Sequence, residues 1–220
     1  MGRRPRRASR RRRWRWRSLP QPLRALGAVA LLCGLTIAYQ VLRKPTELLG
    51  VLPASPKTPS STWAAYGALF RAYSTDIVRP ELLAALVQVE SAGDPLARTY
   101  WRWRLGWNPL ELYAPASTGV GLLQITDGTF ADARHLCVRD HKVVREGPWR
   151  EPPCSPRDRL RLVPGDAIEM TSAWLDRSVR EALRGAPARA TPEQRRRLAA
   201  VIHLCGRGRG DLFTRRRFRA

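Results

Sequence analysis

The hydrophobic positions of this chain fall into one unbroken apolar run and five periodic stretches. The run, residues 25–42 (ALGAVALLCGLTIAYQVL), holds 18 residues without a charge, close to the ~20 needed to cross a bilayer as a helix. Beyond it, Trp63, Tyr66, Phe70 and Tyr73 recur at spacings of 3 and 4 and predict the first helix of a folded domain. Pro80 opens a second helix, which carries Leu82, Leu83, Leu86, Val87 and Glu90 and stops at Gly93, before Asp94-Pro95. Thr126 or Asp127 caps a third, through about Leu136. A fourth runs from about Asp166 to Leu183, with Ile168, Trp174 or Leu175, Val179 and Leu183 inward, and ends at Gly185. Thr191-Pro192-Glu193-Gln194 is a capping box with proline in the first helical position, and Leu198, Val201, Ile202 and Cys205 follow up to a terminating Gly206. Strand-like alternation of useful length, heptads and internal repeats are absent from the sequence. The predicted fold class is all-α, behind a single N-terminal apolar helix.

Charge adds a topology to this pattern. Lys and Arg total 40 against 18 Asp and Glu, a formal charge of +22, which by itself points to a nucleic-acid partner. Its distribution points elsewhere, because residues 1–24 hold eleven Arg and no acid, half of the excess. All eleven precede the apolar run, ten of them between Arg3 and Arg17 and Arg24 at its border, whereas Arg43 and Lys44 alone follow it closely, so the positive-inside rule places the N-terminus in the cytoplasm and the rest outside it. Trp14 and Trp16 in the basic arm suit an interfacial anchor. Thr36-Ile37-Ala38 and the Arg pair after Ser9 are marks of a cleaved signal, the alternative to an uncleaved anchor. The stretch 43–61 is rich in Pro, Ser and Thr and reads as a spacer. The organisation is thus a basic arm (1–24), a transmembrane anchor or signal segment (25–42), a spacer (43–61) and a domain (62–220).

Glu90 departs from simple core patterning. Leu83, Leu86 and Glu90 are separated by 3 and 4, which projects the carboxylate from the apolar face of its helix. Burial there raises its pKa, as a general acid working near neutral pH requires. The alternative is a solvated Glu at the rim of that face.

Glu90-Ser91 is followed by Asp94-Pro95 and Ala97, and then by Ser117-Thr118-Gly119-Val120-Gly121-Leu122-Leu123-Gln124-Ile125-Thr126. In these two segments, in their order and over roughly residues 75–208, the chain resembles the soluble lytic transglycosylases, the goose-lysozyme-like enzymes that cleave peptidoglycan. The resemblance implies a lysozyme-like helical domain, Glu90 as catalytic acid/base, and a sugar cleft lined by Ser91, Gly121, Gln124 and Ile125. The family's third segment, Ala-Tyr-Asn-Ala-Gly, reads here Ile202-His203-Leu204-Cys205-Gly206, so His203 stands at the Tyr position and Leu204 at the Asn position. His203 is either a substrate-site donor in place of the phenol or an ordinary core histidine. The family implies no cofactor and no metal, and His135 and His141 lack any ligand spacing. Among its members the closest resemblance is to small single-domain enzymes of conjugative elements and secretion machines, which implies peptidoglycan strands, the inner membrane and a conjugation or secretion complex as partners. The alternatives are a lysozyme-type hydrolase, a noncatalytic peptidoglycan-binding scaffold, and a nucleic-acid function confined to the cytoplasmic arm.

Two features lie outside the motifs. Tyr100-Trp101-Arg102-Trp103-Arg104-Leu105-Gly106-Trp107 is an aromatic, basic insertion. Tyr100 and Trp101 are candidates for stacking on sugar, and packing on the core or contact with the membrane are the other readings. The second feature is the cysteines. With Cys33 in the span, Cys137 and Cys154 enclose a charged, Pro-rich loop whose closure by a disulfide is worth roughly 3 kcal/mol. Cys205 is then a buried free thiol, and Cys137 with Cys205 is the competing pair.

Overall fold

In the computed structural model, residues 20–46, 48, 52–145, 159–184 and 190–219 are described. Residues 1–19 of the basic arm, with Trp14 and Trp16, and Cys154 and Gly185 lie outside them. The chain divides into two compact units, residues 1–45 with 103–113, and residues 46–102 with 114–220.

The first unit is built on α1 (Gln21–Arg43), started by a proline in its first turn. Leu26, Val29, Leu31, Leu35 and Ile37 are exposed around it, and the helix is long and apolar enough to cross a membrane. Its two buried side chains, Thr36 and Gln40, are polar. Thr36 returns its hydroxyl to the Leu32 carbonyl within the helix (2.9 Å), and Gln40 Nε2 donates to the Leu110 carbonyl (2.9 Å). Leu110 lies in a 3-10 turn, Pro109–Glu111, which Asn108 caps, and Glu111 pairs with Arg43 at 2.8 Å. The insertion singled out above therefore belongs, from Trp103 onward, with the N-terminal helix.

In the second unit α2 (Pro59–Ala72) begins three residues before Thr62, because Thr58 caps it and Pro59 sits in its first turn. Tyr66 and Phe70 are buried, whereas Trp63 stands at the rim beneath Arg71, and Tyr73 is the C-cap. α3 (Pro80–Ser91) buries Leu83, Leu86 and Val87 and ends in left-handed Ala92 (φ 48°) and Gly93 (φ 74°). After α3 come β1 (Trp101–Trp103) and β2 (Tyr113–Pro115), a two-stranded sheet whose Trp103 and Tyr113 belong to the first unit, and then α4 (Asp127–Ala133). Thr126 is the cap of α4; Asp127 is its first residue and pairs with Arg161 (2.7 Å). The helix stops short of Leu136, which opens an antiparallel hairpin of β3 (Leu136–Arg139) and β4 (Lys142–Arg145). The two residues of its loop, Asp140 and His141, both have positive φ (48° and 60°), as the tight hairpin turn matched to strand twist demands.

α5 (Pro164–Arg184) runs through the core and is buried on most of its circumference, including Ile168, Met170, Trp174, Leu175 and Val179. Asp176, 2% exposed, is neutralised by Arg180 at 2.6 Å. α6 (Pro192–Cys205) starts with the reciprocal capping box of Thr191 and Gln194 and packs on α5 and α3. A further helix, α7 (Arg207–Arg215), follows Gly206 and lies on α6. Gly210 permits this approach, since a Cβ there would overlap the Ile202 side chain.

The described residues are thus mostly helical, with two small sheets among them that helical periodicity does not predict. Cys137 is buried in β3 and disulfide-bonded, and Cys205 is free, which removes the Cys137–Cys205 pairing. Cys205 is also exposed, because the apolar face of α6 ends at Ile202.

Candidate functional site

The last turn of α3 delivers Glu90. Leu86, one turn earlier, is sealed in the core, and Val89 beside it is 71% exposed, so Glu90 falls at the border of the apolar face, with its side chain 22% exposed. Loss of water raises its carboxyl pKa above the ordinary value of 4.5. His203 approaches from α6, its Nε2 3.6 Å from Glu90 Oε1, beyond hydrogen-bond range. Burial lowers the His203 pKa from 6.5 to about 4, and among the described residues the enclosed Nε2 has no hydrogen-bond partner. Near neutral pH the imidazole is uncharged, so the carboxyl faces a neutral ring and gains no ion pair that would hold it ionised.

The depressed His203 pKa has a consequence for stability. The unfolded chain takes up a proton near pH 6.5 and the folded one only near 4, so stability is lost as pH falls through that window, by about 3 kcal/mol in all. Comparing His203→Gln with wild type by chemical unfolding at neutral pH and at about pH 4 isolates this slope. The variant is expected to lose less stability on acidification; equal losses would show that His203 titrates normally.

Next to Glu90 the chain turns back through Gly93 and braces the helix end. Asp94, 7% exposed, accepts the Leu96 amide on Oδ1 (2.9 Å) and the Ser55 amide on Oδ2 (3.1 Å). The Ser55 contact belongs to a strap. Lys57 N and Nζ donate to the carbonyls of Ala92 and Gly93 (2.6 and 3.1 Å), and Gln88 Nε2 donates to the Lys57 carbonyl (3.0 Å). Residues 53–57, read from composition as spacer, are in this way laid over the end of α3. With Pro53, Ala54, Pro56, Ala97 and Arg98 as walls, Glu90 and Ser91 border a cavity of about 400 Å³.

Ser91 joins the two sequence segments. Its hydroxyl lies 2.7 Å from the Leu122 carbonyl and 3.0 Å from that of Val87, which ties the end of α3 to the glycine-containing loop. In that loop Gly121 has φ +77°, and a Cβ on it would overlap the Arg161 carbonyl oxygen. Gln124, itself at φ 45°, uses its amide to hold the loop, donating to the carbonyls of Ala97 (3.0 Å) and Gly121 (3.1 Å). Arg161 closes it from outside, with Nη1 donating to the Ile125 carbonyl at 3.0 Å and paired with Asp127. Nothing in the sequence around Arg161 marks it, since its role depends on a carbonyl 36 residues away.

Of the residues expected to line a cleft, Glu90, Ser91 and His203 are brought together. Ile125 is corrected: it is 2% exposed and packs in the core, bridged to Val120. Ser91, Gly121 and Gln124 shape the support, through the contacts just given. Tyr100, 71% exposed, and Trp101, half-buried on β1, border no part of the Glu90 cavity. A larger cleft, about 1170 Å³, lies between β3–β4 and α5 among Asp76, Lys142, Arg177, Arg180 and Arg184. It contains none of the motif residues. His141 lies there, with Nδ1 2.9 Å from the Ser74 carbonyl, and His135 accepts from Arg134 (3.0 Å). Among the described residues no three His, Cys, Asp or Glu are grouped to hold a metal ion. No protein-family model matches the chain, and comparison with curated proteins and with solved structures finds no significant match.

Proposed function

We propose that the domain is a lysozyme-like peptidoglycan lytic transglycosylase with Glu90 as its acid/base, held at the inner membrane by α1 with the N-terminus cytoplasmic. The observation that carries this reading is the carboxyl at the edge of a cavity, its pKa raised by burial, beside a neutral His203 and tied through Ser91 to the Gly121-Leu122 turn.

The chemistry follows from one carboxyl. Protonated Glu90 donates to the glycosidic oxygen as the bond to the muramic acid anomeric carbon breaks, and the leaving sugar takes that proton. The carboxylate so formed accepts the proton of the muramic acid C6 hydroxyl as its oxygen attacks the anomeric carbon. The product is a 1,6-anhydro sugar, no water is consumed, and Glu90 is protonated again. An intramolecular hydroxyl supplies the proximity that a bound water lacks. A two-carboxylate mechanism needs a second free carboxylate across the bond. Asp94, which borders the same cavity, has both oxygens engaged by backbone amides. That arrangement favours the single-acid route.

Mass spectrometry of muropeptides released from purified sacculi by the reconstituted full chain tests the reading. Products ending in 1,6-anhydromuramic acid are expected. Reducing muramic acid ends would instead make the domain a hydrolase, and sacculus binding without release would make it a scaffold.

A further inference from the structure

The first unit carries a surface that the proposed sugar chemistry does not use. Between Trp103 and Tyr113 the chain makes an excursion whose neck is closed by the Arg104 amide donating to the Leu112 carbonyl (2.8 Å) and by the rings of Trp103 and Tyr113, 4.9 Å apart. At its tip Leu105 and Trp107 are fully exposed, and Trp103 is 78% exposed. Three large apolar side chains held out together in water are costly, at roughly 25 cal/mol per Å² of apolar surface. Such a patch marks a contact surface.

The unit also indicates the level at which the tip stands. Leu110 accepts from Gln40 and Glu111 pairs with Arg43, residues in the last turn of α1, where an apolar span gives way to Arg43 and Lys44. The bond to Leu110 also satisfies the Gln40 amide, which is buried 7% exposed at the end of the apolar run. Tryptophan beside arginine at the end of a span is the composition of a membrane–water interface, where the ring sits among headgroups and the guanidinium meets lipid phosphate. Arg104, exposed between Trp103 and Leu105, supplies that cation.

We infer that the 103–113 tip is a second membrane contact, with Leu105 and Trp107 inserted into the leaflet at which α1 ends, and Arg104 among the phosphates. This rests on the reading of α1 as a membrane span. A tip bonded to the span and seated in the leaflet fixes that end of α1 at two points.

Depth measurements on the full chain test this. In a Cys33→Ala, Cys205→Ser background, Trp107→Cys carries a polarity-sensitive fluorophore, and the chain is reconstituted into vesicles of equal parts phosphatidylcholine and phosphatidylglycerol. The Trp107 probe should be quenched several-fold more by nitroxide placed high on the acyl chains than by aqueous iodide. A matching probe at Leu31→Cys, midway along α1, should respond to nitroxide deep in the bilayer. Leu105→Cys repeats the tip measurement in case the label at position 107 perturbs the excursion. Iodide-quenched, lipid-insensitive probes at both tip positions, with a deep Leu31 probe, would overturn the tip contact and leave the span in place. An iodide-quenched Leu31 probe would overturn both. Tip probes that respond to added glycan strands and ignore lipid quenchers would show a sugar-binding surface and overturn the proposal in the other direction. None of these readouts depends on glycan cleavage, so the result stands apart from that of the muropeptide assay.

Discussion

Glu90→Gln is expected to lower muropeptide release by at least ~10²–10⁴-fold, the scale of general acid–base catalysis, while the protein stays folded and retains glycan. Gln keeps the shape of the side chain and removes its proton. The stability comparison makes the prediction specific. A carboxyl whose folded pKa lies above its unfolded value contributes stability that is present at low pH and lost as pH rises through the folded pKa. Above that pKa the wild-type chain holds a partly desolvated charge that the Glu90→Gln chain lacks, so in that pH range the variant should unfold at an equal or higher temperature. Loss of activity with retained or increased stability is the signature of a group kept for chemistry at the expense of the fold. A correctly folded Glu90→Gln chain with substantial cleavage would place the acid elsewhere. The same raised pKa sets the pH profile. On the proposed mechanism turnover needs protonated Glu90, so activity should fall on the alkaline side as pH rises above the folded pKa.

Gly121→Ala should cost about 2–5 kcal/mol, made up of left-handed backbone strain of ~1–2 kcal/mol and overpacking of ~1–3 kcal/mol. For a chain of this size that lowers the melting temperature by roughly 5–15 °C. The added methyl would overlap the Arg161 carbonyl oxygen, and the Pro95 carbonyl oxygen is 3.4 Å away. Relief requires the loop to move, and the loop is bonded to Ser91 through Leu122, so activity should fall together with stability. Gly128→Ala is the control. Gly128 lies in α4 with no described residue within 4 Å of an added Cβ, and there alanine should be neutral or stabilising by up to ~1 kcal/mol. Equal melting temperatures for the Gly121→Ala chain and wild type would mean that the loop is not built against Arg161.

Much of the helical framework is legible from the chain alone. Capping chemistry is local, so Thr191 and Gln194 announce α6, Pro80 announces α3, and Thr58-Pro59 starts α2, although composition assigns those last two residues to a spacer. The apolar run from Ala25 requires only counting. The β3–β4 hairpin escapes such a reading because its loop is Asp140-His141 instead of a glycine pair and its strands are four residues long. α7 escapes it because Gly206, Gly208 and Gly210 are breakers by propensity, whereas Gly210 is the residue that lets α7 touch Ile202.

Elements whose signals lie within a few residues of one another are therefore written in the chain, and with them the order Glu90-Ser91 before Gly121-Leu122. For Glu90 the 3.6-residue period sets direction only to within about one residue, which leaves the apolar face of α3 or its rim, and the fold puts the carboxyl at the border between them. What that border faces emerges only on folding. His203, more than a hundred residues downstream, loses its charge there through burial. Ser91 and Gln124 serve the loop, and Ile125 fills the core. The strap 53–57 becomes a cavity wall by bonding to carbonyls that α3 leaves open at its end. The tryptophans of the insertion divide, with Trp103 and Trp107 in the same unit as α1. Each of these depends on desolvation or on a hydrogen bond between segments distant in sequence, and neither exists until the chain has folded.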